Sequence, residues 1–195
     1  IIKTGESPQD DFEVLKSELL LKDLETVSKS QESRLKSEKS REDLLAKARG
    51  LIEQGKWIRD EMTDEELEKI KELSLMSAKK YIVVINSDEN QLEVRPQIEG
   101  AIRISAKMED ELSGLSVDEQ KEYLESVGAG EAGLNRLIGK AYAVLGLETF
   151  LTAGPKEVRA WTIKKGSFAP QAAGVIHTDF ERGFIAADVV NFSKF

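Results

Sequence analysis

Two short apolar runs in this chain break directly into residues that could do chemistry. Tyr81-Ile82-Val83-Val84-Ile85 is followed by Asn86-Ser87-Asp88-Glu89, and Ala101-Ile102-Arg103-Ile104 is followed by Ser105-Ala106-Lys107. Short β-branched runs bounded by polar residues read as buried parallel strands. In open α/β sheets, ligands bind just beyond the carboxyl ends of such strands. An amide, a hydroxyl, a carboxylate and an ammonium group gathered there suit the base-recognition half of a nucleotide site. The same residues would also serve simply to cap a turn after a strand. No glycine-rich phosphate loop accompanies them.

The elements around these strands can be read from periodicity and capping. Residues 10–28 predict a helix, with Phe12, Leu15, Leu19, Leu20, Leu24 and Val27 mostly three or four apart. Residues 29–41 are polar apart from Leu35, and Lys29, Arg34, Lys36, Lys39 and Arg41 outweigh Glu32 and Glu38. A second helix is expected over 42–55, completing a helical hairpin with a basic tip. Thr63-Asp64-Glu65-Glu66 is a capping box opening a helix to about Leu75. Ser116-Val117-Asp118-Glu119 is another, and its helix closes at Gly128. A further helix spans about 131–146 with Leu134, Leu137, Ile138, Ala141 and Leu145 on its buried face. Helices alternating with apolar strands favour an α/β layer.

From residue 147 a separate small α+β unit is expected. Residues 157–163 alternate like a half-exposed strand, Lys165-Gly166 turns, 171–176 suit a short helix, and 183–190 read as another strand.

Composition narrows the function classes. The 195 residues are 40% hydrophobic and 33% charged with a net charge of -8, a globular composition that disfavours wholesale coating of nucleic acid. Without cysteine, disulfides, thiolate metal sites and Cys nucleophiles are excluded. The single histidine, His177, excludes a histidine-based zinc cluster and reads as a structural or surface residue. No apolar run approaches the roughly 20 residues that span a bilayer, and the N-terminus has no targeting pattern, so a cytoplasmic location is expected. The chain lacks an initiating Met and is expected to begin inside a longer protein.

Three stretches carry a family likeness: Thr152 to Ile163 (TAGPKEVRAWTI), Ala169 to Ile185 (APQAAGVIHTDFERGFI), and Gly133 to Ile138 (GLNRLI). With Ser105-Ala106-Lys107, Asn86-Ser87-Asp88-Glu89 and Glu18 to Val27, they resemble the YchF / Obg-like ATPase family, of EngD type, over nearly the whole chain. The resemblance implies an α/β fold: a partial P-loop G domain with an α-helical hairpin insertion, followed by a partial β-grasp (TGS) domain. The implied divisions are 1–27 (G-domain remnant and start of the insertion), 28–76 (coiled-coil-like insertion), 77–146 (C-terminal part of the G domain) and 147–195 (incomplete TGS domain).

It further implies a ribosome-associated ATPase preferring ATP over GTP, acting in translation or stress regulation. The phosphate loop and the ligands of Mg²⁺ would lie upstream of Ile1, leaving this chain inactive alone and without catalytic residues. Asn86, Ser87, Glu89, Ser105, Ala106 and Lys107 would read the base. Glu89 and Ser87 replace the Asp and Lys of the guanine-reading Asn-Lys-x-Asp pattern, and so imply acceptance of ATP. Lys29, Arg34, Lys36, Lys39, Arg41, Lys164 and Lys165 are possible RNA or ribosome contacts. Lys156, Arg159 and Arg182 lie near the last two in pattern, with Trp161 and Phe184; Trp161 suits a β-grasp core equally well. The alternative is a non-catalytic RNA- or ribosome-binding module, and a monomer is favoured.

Overall fold

The computed structural model describes residues 2–3, 7–32, 39–92, 98–155 and 157–194. Contacts divide the chain into two compact units, Ile1–Leu137 and Ile138–Phe195.

In the first unit, α1 (Pro8–Glu32) and α2 (Lys39–Glu53) form the expected hairpin. Leu20 and Val27 meet Leu45, Ala48 and Ile52, and Trp57, Ile58, Met62, Leu67, Ile70 and Leu75 close the core. Each large side chain buried this way contributes about 1.5–3 kcal/mol. Two short helices, α3 (Ile58–Glu61) and α4 (Asp64–Lys69), carry Ile58 and Leu67, with Trp57, Met62 and Ile70 at their ends. The Thr63 capping box forms as read: the Thr63 hydroxyl accepts from Glu66 N, and Thr63 N donates to Glu66 Oε2 at 2.9 Å.

That helix stops well short of Leu75. Ser74 takes a left-handed conformation (φ 51°), and 3₁₀ turns at Lys71–Leu73 and Met76–Ala78 replace the helix. A polar clip lies at this point. Asp23, only 2% exposed on α1, accepts from Met76 N (2.8 Å), Ser77 N (2.7 Å) and Ser77 Oγ (2.5 Å). A continued helix would turn those N–H groups into its own ladder, so the clip competes with helix and wins.

From the clip the chain passes Trp57, whose indole donates to Lys79 O at 3.1 Å, and enters the sheet. β1 (Ile2–Lys3), β2 (Val84–Asn86) and β3 (Ile102–Ile104) are parallel and lie in that order. The two strands read from sequence are indeed adjacent and parallel. The first is displaced towards Asn86: Tyr81 packs edge-on against Trp57 (5.1 Å between rings) and stays outside the ladder. β1 is too short to leave a sequence signal. Val83, Ile85 and Ile98 form a second core, with Phe12 and Ala101 against it.

Beyond β3 come α5 (Ala106–Ser113), α6 (Val117–Ser126) and α7 (Gly133–Leu145). The Ser116–Glu119 capping box is present, and Gly128 closes α6 at φ 73°. α5 was not anticipated, although Ser105 caps it and Met108 and Leu112 bury its inner face. The expected buried face of α7 is a correction. Leu134, Ile138 and Leu145 are 50%, 47% and 64% exposed, and Leu137 and Ala141 are only half-buried.

The second unit, beyond the α7 segment, pairs β4 (Leu147–Ala153) antiparallel with β5 (Val158–Lys164), followed by α8 (Ala169–Ile176) and α9 (Thr178–Arg182). Gly166 turns the chain at φ 80°. The strand expected over 183–190 does not form. Ile185 and Val189 are 95% and 85% exposed, and an isolated extended segment has no ladder to join.

Candidate functional site

Parallel pairing brings the two polar strand ends together. β2 and β3 register as Val84↔Ile102, Ile85↔Arg103 and Asn86↔Ile104, and Ser87 N continues the ladder by donating to Ile104 O at 2.8 Å. Asn86 Oδ1 then accepts from Ala106 N at 2.9 Å, tying the loop after one strand to the helix start after the other. Ser105 is 2% exposed, and its hydroxyl accepts from Met108 N at 3.3 Å, capping α5. Ser87 is also buried, and its hydroxyl has no hydrogen-bond partner among the described residues. Glu89 opens a single 3₁₀ turn, Glu89–Gln91.

All six residues read as base contacts therefore stand in one place. Asn86, Ser105 and Ala106 build the frame, while Glu89 and Lys107 present charge at its rim. Lys107 Nζ lies 3.3 Å from Glu89 Oε1 and 3.7 Å from Glu111 Oε1. The bond to Glu89, ahead of the charges of Glu89 and Glu111, holds the Lys107 ammonium above its ordinary pKa. Tyr123 donates to Glu111 Oε2 at 2.7 Å, and that bond raises the phenol's pKa. Glu111 and Tyr123 escaped the sequence reading. The Lys107–Glu111 spacing of one helical turn becomes a signal only once α5 is recognised.

The start of α7 is tied to both α5 and β3. Glu109 Oε1 accepts from Gly133 N at 2.7 Å, and Arg136 Nη2 donates to Arg103 O at 3.0 Å. A Cβ at Gly133 would meet Ile104 Cγ2 at 2.7 Å, so only glycine permits this approach.

The basic residues read as RNA contacts divide differently. Arg34 and Lys36, like Lys156, lie outside the described residues. Lys29 and Lys39 lie on α1 and α2, and both are exposed. Arg41 is engaged by the fold: it donates to Lys69 O at 3.4 Å and pairs with Glu72. Lys164 and Lys165 are exposed beside an open groove of about 540 Å³ lined by Leu147, Thr162, Gln171 and Val175. On β5, the Arg159 guanidinium lies 4.2 Å from the centroid of Trp161, whose indole donates to Thr152 at 2.9 Å. His177 caps α9, its Nδ1 accepting from Asp179 N at 3.2 Å, which is the structural role read for it.

Among the described residues no group of three or more His, Cys, Asp or Glu could hold a metal ion. No described helix is long and apolar enough to cross a membrane.

Comparison with known proteins bears on the whole chain. Residues 147–195 match the family model YchF-GTPase_C, described as a protein of unknown function (DUF933). The chain is 39% identical to the ribosome-binding ATPase YchF of Bacillus subtilis (strain 168) over 207 residues, covering 95% of this chain and 57% of that protein. It is 37% identical to the protein of the same name from Escherichia coli O157:H7 over 208 residues, covering 97% and 57%. It is also similar to the solved structure of the Schizosaccharomyces pombe YchF GTPase, with a TM-score of 0.79 at 30% identity over 92% of this chain and 55% of that one. The chain thus spans little more than half the length of the curated relatives it matches.

Proposed function

Since the chain belongs to the YchF family, we propose that it forms the base-reading part of a ribosome-binding ATPase. In this reading, residues 1–27 hold a remnant of a P-loop G domain and the start of its helical insertion, 28–76 the insertion, 77–146 the C-terminal part of the G domain, and 147–195 part of a β-grasp TGS domain. The chain's own residues bind and orient the base, whereas phosphate and Mg²⁺ binding require residues beyond these. ATP hydrolysis would then rest on positioning and charge stabilisation supplied with those residues.

The observation that carries the reading is the Asn86–Ala106 bond, which fuses two parallel strand ends into one rim. Amide resonances of the ¹⁵N-labelled chain, titrated with ATP, test it. Shifts centred on residues 86–89 and 105–107 are expected, with no ATP turnover by the chain alone. Shifts centred elsewhere would sink the base-site reading, and measurable turnover would sink the assignment of phosphate chemistry to other residues.

A second reading, a ribosome- or RNA-binding module, draws on the exposed Lys164 and Lys165 beside their groove. Ribosome pelleting at rising salt separates the two: loss of binding on Lys164→Ala with Lys165→Ala, without change in nucleotide binding, favours the module.

A further inference from the structure

The first turn of α7 holds the segment after β3 at both ends. Arg136 Nη2 donates to Arg103 O at 3.0 Å, ahead of Ser105, Ala106 and Lys107. Gly133 N donates to Glu109 Oε1 at 2.7 Å, beyond them. Between these two ties, Gly133 is buried so close to Ile104 that an added Cβ would stand 2.7 Å from its Cγ2.

Glu109 does two things at once. Its own amide donates to Ser105 O at 3.0 Å and closes the first turn of α5, while its carboxylate receives α7. A hydrogen bond that ends on a carboxylate belongs to the stronger class. Asn86 holds the same segment from β2, through Ala106 N. The α7 contacts touch none of the side chains of Ser105, Ala106 or Lys107; they fix where that backbone stands. A segment that holds its binding geometry only part of the time lowers apparent affinity by that fraction.

We propose that the first turn of α7 sets nucleotide affinity whichever base is bound, with Glu109, Gly133 and Arg136 as positioning residues for Ser105 to Lys107. This rests on the reading of residues 86–89 and 105–107 as a base site. Linkage makes the effect reciprocal: a nucleotide held by the segment strengthens the α7 contacts by the same factor. Because α7 runs on to Leu145, a load on that helix reaches the base segment through its first turn.

Saturation-transfer-difference NMR with ATP and with GTP, set beside urea midpoints, tests this. Glu109→Ala should weaken binding of both nucleotides about three- to tenfold, the scale of one hydrogen bond. Glu109→Gln keeps an acceptor and should restore most of the loss. In wild type, saturating ATP should slow hydrogen exchange of the Gly133 amide by a comparable factor. A lowered urea midpoint with unchanged nucleotide affinity in Glu109→Ala would make the contact structural only and overturn the proposal. A loss confined to one nucleotide would do the same, as would Gly133 exchange indifferent to ATP. The exchange measurement needs no variant, so it decides the matter should Glu109→Ala fail to fold. Each of those outcomes leaves the base site standing, whereas absence of ATP binding by wild type would remove the base-site reading and this inference together.

Discussion

The helical part of the first unit and the second unit are built from equally clear local signals, yet only one of them has a core. Around the hairpin, eleven residues from Leu20 to Leu75 are buried in one cluster. From Ile138 onward no described residue is buried, and Val158, Phe168, Ile185 and Phe192 are all more than 70% exposed. Both regions have capped helices and tight turns. Local grammar sets where elements begin and end, whereas burial needs a second layer to pack against.

The comparison breaks most readily in the core. Ile58, fully buried, should cost about 2–5 kcal/mol when replaced by alanine. Phe150→Ala on half-buried β4 should cost far less, and urea midpoints followed by circular dichroism would show it. Comparable losses would mean that the second unit has a core after all.

Asp23→Ala should come next. It strands the buried Ser77 amide, at about 1–3 kcal/mol, and the part-buried Met76 amide at less. Hydrogen exchange should speed up selectively at those two amides, and uniform acceleration across the unit would argue against a local clip. Thr63→Ala removes one cap and should cost about 1 kcal/mol, read as a shift in thermal midpoint.

The smallest effect is a pH dependence. Lys47's hydrogen bond first, then the Thr63 amide, holds the Glu66 carboxyl below its ordinary value of 4.5. A lowered folded pKa means that this contribution is present above 4.5 and fades as pH falls through the folded value. The stability gap between wild type and Glu66→Gln should therefore close on acidification; a gap that persists well below pH 4.5 would refute the assignment.

What could be read from sequence follows the same division. Thr63 with Glu66 and Ser116 with Glu119 were legible because a capping box lies within four residues. The adjacency of the two strand ends was legible because parallel strands with polar exits leave few alternatives. β1 was not, since two residues carry no period. The apolar stripe of α7 was legible as a stripe, but not whether anything covers it. At the site, Asn86 was singled out by residue type and Ala106 by the family resemblance, whereas Glu111 and Tyr123 enter only through contacts made across elements.

The Asp23 clip has a consequence in polymer terms. It joins residues 54 apart in a chain without cysteine. A covalent cross-link would restrict the unfolded chain as well; this tie exists only in the folded state and re-forms without an oxidant. It also makes the intervening hairpin a closed loop, and doubling such a loop costs only about 0.6 kcal/mol in closure entropy. By that term alone a longer connection between the two helices adds little to the cost of closing the clip, while the strand that leads to Asn86 keeps its anchor.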